Sequence, residues 1–401
     1  MALALAKRGL DVDLIERNDD LMLGASLHNE GKLHLGYVYA ADRLGLTHQL
    51  MARGSLNFCG LLEYLTGADC RDIRMSSPFV YAVPKDSQLD ASAIAEHFSR
   101  VDDTIAAILA DGGAFLPGAA PAPARRLEVT EERARLGAAD IQAAFQTAEV
   151  SLDTDQVADL LRQAVYGNAR IKVRTGCRVI SASHAHNGGV DVVCLRAGQA
   201  ERIHYRYGIN CTWEDRLRLD ASLGIQPQRP WLMRYKAALT LQLKHSLPAD
   251  RLPSVTLITG PYGDVVNHGE NKIFVSWYPL CKLAETRGLD GGALHDIARA
   301  RCPSDLVEES LAAMQRFVPG LALAARDIEA SRIGGGVIFA WGQTDIDDPD
   351  SGLHQRHAIG ASFHKDWASM DTGKYCMAPY YAMQLADALF EKGERWFTSL
   401  A

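Results

Sequence analysis

The chain has 401 residues, 47% hydrophobic and 23% charged, a globular composition that excludes wholesale disorder, collagen and coiled coil. With 42 basic and 49 acidic side chains its formal net charge is −7, which gives no electrostatic basis for nucleic acid or an anionic membrane surface as the main partner. No apolar run approaches the ~20 residues of a membrane span. Met1–Ala6 is apolar, but its charges, Lys7 and Arg8, follow instead of preceding it, the reverse of a signal peptide. The default location is therefore the cytoplasm. The eight cysteines include no C-x-x-C pair, which argues against a zinc ribbon or dithiol motif and predicts buried free thiols. The length suits two or three domain-sized units, or one interleaved pair.

Met1–Arg8 reads as the end of a helix, with two cations where the helix dipole favours them and Gly9 just beyond. Leu10–Ile15 (LDVDLI) follows as a short strand with Glu16 at its tip. A helix closed by glycine, then a strand ending in an acid, is the second half of a βαβ nucleotide-binding unit, in which the acid accepts hydrogen bonds from a ribose hydroxyl. That acid usually lies about 20 residues beyond a glycine-rich phosphate loop, a count that reaches back past Met1. Gly334-Gly335-Gly336 does not supply the motif, because no helix pattern follows it. The expectation is a natural protein that starts upstream, with a first strand and glycine turn before residue 1.

Gly24–Tyr39 (GASLHNEGKLHLGYVY) reads as a loop entering a helix, rich in small residues and in His28, Asn29, Lys32 and His34. Its backbone N–H groups suit a pyrophosphate and a flavin ring. Ser77–Pro84 reads as a strand, Ala119–Pro123 as a linker and Leu127–Arg135 as a charged surface segment. Thr154–Tyr166 is helical by its apolar spacing, with Asp153 or Thr154 as N-cap. Ile171–Val173, Arg178–Ala182 and Val190–Leu195 read as strands, with Asn187-Gly188 as a hairpin turn. Gly208–Asp215 (GINCTWED) is a strand ending in a small-polar turn. Ala237–Leu243, Ser254–Ile258 and Lys272–Tyr278 alternate as strands, Pro303–Phe317 is an amphipathic helix, and Gly334–Trp341 is a glycine-rich strand. Asp345–Asp350 lacks the glycine and closing glutamate of a calcium loop and reads as a solvated turn, so no metal site is expected. Asp371–Pro379 (DTGKYCMAP) is a turn opening the helix Tyr380–Lys392, with its N–H groups aimed above the turn.

In this order, residues 10–16, Gly24–Tyr39, Gly208–Asp215 and Asp371–Pro379 resemble the FAD-dependent oxidoreductases of the D-amino-acid oxidase (DAO) type. The resemblance implies an α/β fold: a Rossmann-like FAD-binding domain interleaved with a mixed-sheet substrate, or cap, domain. The FAD domain would take residues 1–75, 150–225 and 345–401, and the cap 76–149 and 226–344. It implies an enzyme that oxidises a C–N or C–O bond of a small amine, amino acid or hydroxy acid by hydride transfer to flavin N5. Electrons would pass to oxygen or another acceptor. The alternative is a non-catalytic flavin or nucleotide binder, or a degenerate scaffold.

The same resemblance implies site residues. Glu16, with Arg17, would meet the ribose, and Val179 the adenine through its backbone. Asn210, Cys211, Thr212 and Trp213 would form the adenine-side wall. Ser26, His28, Asn29, Lys32 and Leu33 would run beside the cofactor, and Thr372, Gly373, Lys374 and Tyr375 would meet the pyrimidine ring. His34 would contact the flavin or accept a proton, Arg332 would grip a carboxylate, and Tyr235 would line the pocket with Arg234, Trp277 and Tyr278. Each has a plainer alternative: a hydrogen-bonded histidine, a solvated lysine, a surface arginine or a cap-core aromatic. Neither a G-x-S-x-G elbow nor an H-E-x-x-H helix is present, which lowers hydrolase readings.

Overall fold

A computed structural model describes residues 1–111 and 121–398. Seventeen strands are found there: β1 (Val12–Ile15), β2 (Val80–Pro84), β3 (Arg125–Arg126), β4 (Ile141–Gln146), β5 (Ile171–Arg174), β6 (Cys177–His184), β7 (Val190–Arg196), β8 (Gln199–Tyr205), β9 (Gly208–Asn210), β10 (Trp231–Leu243), β11 (Val255–Leu257), β12 (Gly263–Asn267), β13 (Lys272–Trp277), β14 (Lys282–Thr286), β15 (Ile328–Trp341), β16 (Gly360–His364) and β17 (Trp367–Asp371). Nine of them form one mixed sheet in the order β14-β10-β13-β12-β11-β2-β4-β3, with β15 also on β10. β10 and β15 are antiparallel along their whole length, from Trp231 opposite Trp341 to Leu243 opposite Ile328. β13 and β14 share the other edge of β10.

This sheet is buried on both faces because side chains alternate along each strand. Ala237, Leu239, Leu241 and Leu243 pack with the helices Leu306–Gln315 and Leu321–Arg326. Ala238, Tyr81 and Val83 pack on the opposite face with Ile94, Phe98 and Val101 of the helix Ala91–Ala110.

The remaining strands form three small sheets. β1 pairs with β5 in parallel, Val12 opposite Ile171. β9 pairs with β17 in parallel and β17 with β16 antiparallel, while β6-β7-β8 is an antiparallel meander. The helix Ala2–Ala6 packs its buried Leu3–Ala6 with Val165, Ala382 and Ala386. Thus the first helix, the helix Thr154–Tyr166 and the long helix Ala378–Thr398 meet in one core. The Thr154–Tyr166 helix starts where expected: the Asp153 carboxylate accepts from Asp155 N–H at 3.0 Å, satisfying one of the unpaired N–H groups of the first turn. Among the described residues, no helix is long and apolar enough to cross a membrane.

Several expectations need correction. Cys59 and Cys70 form a disulfide, so free thiols describe only the other six cysteines. The bond joins the helix Phe58–Thr66 to the turn Cys70–Asp72, a pairing that sequence spacing does not reveal. Leu127–Arg135 is largely a surface segment as expected, but it also contains a helix, Val129–Arg135, opened by a capping box between Glu128 and Glu131. The linker expected at Ala119–Pro123 lies partly outside the described residues. Asp345 is no solvated turn residue: it accepts from Arg234 at 2.7 Å, Lys282 at 2.9 Å and the Tyr278 hydroxyl at 2.7 Å.

Candidate functional site

The tips of β1 and β9, the loop 24–34 and the turn 372–375 converge on a cavity of about 1160 Å³ that also reaches β10 and β12 of the large sheet. It is lined continuously from Glu16 to Thr372, and it exceeds the usual volume of a small-ligand pocket, roughly 300–1,000 Å³.

At one end, Glu16 Oε1 accepts from the backbone N–H and the side-chain amide of Asn18, both at 2.8 Å. Oε2 makes no hydrogen bond among the described residues and can accept another. Arg17, beside it, is paired with Glu214 and lies 3.7 Å from Asp215. Burial works against ionisation of Glu214, but hydrogen bonding from His295 and the charge of Arg17 outweigh it and lower its pKa. Val179, Cys211, Thr212 and Trp213 line this end too. The Trp213 indole donates to Val337 O at 2.6 Å.

In the middle, the loop 24–28 lies directly on β15. A Cβ on Gly336 would stand 2.6 Å from Ala25 Cβ, and one on Gly334 would stand 2.3 Å from His28 Nδ1. The glycine run therefore lets a loop approach a strand, a recurrent use of strand glycine. Ser26, His28 and Asn29 line the cavity from this loop, and Asn29 donates back to Ala25 O at 2.9 Å.

Lys32 is buried, with Nζ 2.8 Å from Asp264 and bonded to Thr256, above the Phe79 ring at 3.9 Å. Its charge therefore fastens the loop to β11 and β12. Burial opposes the ionisation of Asp264, but the charges of Lys32 and Lys236 and the hydrogen bond from Lys32 together outweigh it and lower its pKa.

His34 and Glu30 form a buried pair, Nε2 to Oε1 at 3.4 Å. Burial, and then the charge of Lys374, push the His34 pKa down to about 4, against the pull of Glu30. For Glu30, burial raises the pKa, but the hydrogen bond from His34 and the charges of Lys374, His34 and Lys236 together hold it well below the usual value. At neutral pH the pair is thus a neutral imidazole beside a carboxylate. Thr372, Gly373, Lys374 and Tyr375 close this end, with Gly373 at φ +61 and its N–H donating to Asp371. Burial lowers the Lys374 pKa, partly countered by Glu30.

Four expected residues stand outside the cavity lining: Leu33, Tyr235, Arg332 and Trp277. Leu33 is 1% exposed and packs in the core beneath the loop, because successive residues of the extended segment turn opposite ways. Tyr235 alternates with Arg234 and Lys236 along β10, so its ring faces His295 instead, at 5.2 Å. Arg332 sits opposite Thr240 at the far end of the β10–β15 ladder and pairs with Asp155 at 3.0 Å on the surface. Trp277 packs on Phe317, whereas Tyr278 and Arg234 do line the cavity. Glu30, Asp264 and Arg356 line it as well and were not singled out by sequence. Glu30 carries a legible signal, its four-residue spacing from His34. The other two depend on tertiary contacts.

The donor set fits a flavin dinucleotide. Four buried polar atoms on cavity-lining residues have no partner among the described residues: His34 Nδ1, Tyr39 Oη, Arg234 Nε and Tyr375 Oη. A free carboxylate oxygen for a ribose stands at the Glu16 end. Among the described residues no cluster of three or more acidic, histidine or cysteine side chains could hold a metal.

Comparison with known proteins agrees. The family described as DAO, FAD dependent oxidoreductase, matches residues 1–345. Glycine oxidase from Geobacillus kaustophilus superposes with a TM-score of 0.65 at 15% identity, over 96% of this chain and 90% of that one. Iminodiacetate oxidase from Chelativorans sp. BNC1 gives 0.64 at 18% identity, over 97% and 92%. The FAD-bound L-alpha-glycerophosphate oxidase from Mycoplasma pneumoniae gives 0.59 at 12%, over 95% and 89%. At these identities the likeness is one of fold. No curated protein sequence matches the chain.

Proposed function

Because the chain belongs to the DAO family of FAD-dependent oxidoreductases, we propose that it oxidises a C–N or C–O bond of a small amine, amino acid or hydroxy acid. Bound FAD supplies the hydride acceptor, N5 of the isoalloxazine. Glu16 would hold the adenosine ribose and the turn 372–375 the pyrimidine end of the flavin, where the Lys374 ammonium would offset negative charge. The observation that carries this reading is the single cavity joining Glu16, Thr372 and the cavity-facing side of β10.

The chain's own groups orient the donor carbon and manage its proton. Neutral His34 accepts the proton leaving the substrate nitrogen or oxygen. Glu30 holds the Nε2 side of the ring, which leaves the Nδ1 lone pair as the base. The apolar cap wall of Ile258 and Phe274 excludes water. Oxygen or another acceptor takes up the electrons. The test is the visible spectrum of the purified protein, followed anaerobically with amine, amino-acid and hydroxy-acid donors. Flavin bands that bleach with one of these classes support the proposal. Flavin bands that no donor class bleaches contradict it.

A further inference from the structure

The cap-side end of the cavity carries cations that no carboxylate pairs with among the described residues. Arg356 enters from the chain after β15 and is 8% exposed. Its Nε and Nη1 donate to main-chain carbonyls, Leu353 O at 3.0 Å and Phe339 O at 2.9 Å. No carboxylate pairs with it among the described residues, and Nη2 makes no hydrogen bond there. Burial and then the neighbouring Arg234 bring its pKa down to about 10. Arg234, 2% exposed, spends Nη1 on Asp345 and Tyr278, and its Nε has no partner. Asp345 is itself shared with Lys282.

Lys236, two residues along the same face of β10, has no ion pair among the described residues. Its contact there is with the Tyr278 ring at 5.9 Å. The nearby acids Glu30 and Asp264 already serve His34 and Lys32. Two cations on different elements, Arg356 and Lys236, thus line one cavity with no ion pair of their own among the described residues, Lys236 sensing Glu30 and Asp264, and Arg356 sensing Asp371, only at longer range. Arg356 is buried and Lys236 half-buried; a buried cation left unpaired is unfavourable, and a ligand carboxylate relieves it with charge-assisted hydrogen bonds.

We propose that the substrate is a dicarboxylic acid, a 2-hydroxy or 2-amino diacid, with one carboxylate received by Arg356 beside Arg234 and the other by Lys236. This rests on the oxidoreductase reading and narrows its substrate class.

Binding of inert probes to the purified protein tests it, read as thermal stabilisation against ligand concentration. The probes are malonate, succinate and glutarate, with butanoate, succinamide and inorganic phosphate as comparisons. At least one diacid should bind about tenfold or more tightly than butanoate, with succinamide weaker still. Arg356→Gln should abolish that preference. Lys236→Gln, which removes an ammonium that makes no hydrogen bond among the described residues, should do the same if Arg356→Gln fails to fold. Equal binding of diacid and monoacid, tightest binding by phosphate, or a preference that survives a folded Arg356→Gln overturns the proposal. The bound flavin, read by absorbance on the same sample, is a separate outcome. A colourless protein that prefers diacids counts against the oxidoreductase reading alone, and a yellow protein without the preference counts against the diacid alone.

Discussion

At the scale of single residues, the account turns on a histidine kept neutral. The His34 pKa lies near 4 because burial and Lys374 outweigh Glu30, so the imidazole is a free base throughout the neutral range. As pH falls through that value the base is protonated, and kcat/KM should decline on an acid limb near pH 4. Glu30 raises the His34 pKa, so Glu30→Gln should move the limb to lower pH while loosening the ring and lowering kcat by roughly 10- to 100-fold. A pH–rate profile checks both, and a limb unmoved by Glu30→Gln contradicts the pairing. His34 and Glu16 were legible because each sits in a local pattern, a small-residue loop and a strand tip. Arg234 was expected as a pocket residue and lines the cavity, although its strand was expected to start later. β10 begins at Trp231, but Arg234, Tyr235 and Lys236 interrupt its apolar pattern, so the strand was expected only from Ala237. Arg332 looked like a residue entering a strand at Gly334. The strand begins at Ile328, and its ladder carries Arg332 away from the cavity.

At the scale of elements, local chemistry specified what it could. Asp153 caps its helix, Gly9 adopts the positive φ that a helix end demands, and the β6–β7 hairpin turns near Asn187-Gly188. The edge strand β8 and the helix Val129–Arg135 escaped because they are polar and exposed, so no apolar period marks them. The glycine run of β15 looked like a poor phosphate loop. Its physical role is contact, since the loop 24–28 rests on it. Gly336→Ala should therefore push Ala25 off the strand. Overpacking of this kind costs about 1–3 kcal/mol, so Tm should fall and FAD affinity should weaken. A thermal melt and a flavin titration measure the two effects. Unchanged values in both contradict the proposed use of this glycine.

At the scale of the whole molecule, the sequence carried the fold class through a few separated segments. It did not carry the shape of the cavity, which is made by bringing residues 16, 34, 234, 264, 356 and 372 together from across the chain. No periodicity encodes that closure. The nine-stranded sheet takes all its strands from residues 80–146 and 231–341, and it supplies Arg234 and Lys236 to the cationic side of the cavity, which Arg356 joins from the chain after β15. Residues 1–34, 177–179, 208–215 and 370–375 supply the side facing Glu16 and the turn 372–375.

The claim beneath all of this is that FAD lies along that cavity in one direction. An experimental structure of the protein with FAD measures it most directly. The account predicts a ribose hydroxyl within hydrogen-bond distance of the Glu16 carboxylate and the isoalloxazine against Thr372–Tyr375, with His34 beside it. A dinucleotide bound elsewhere, or bound with its adenine against Thr372–Tyr375, contradicts it.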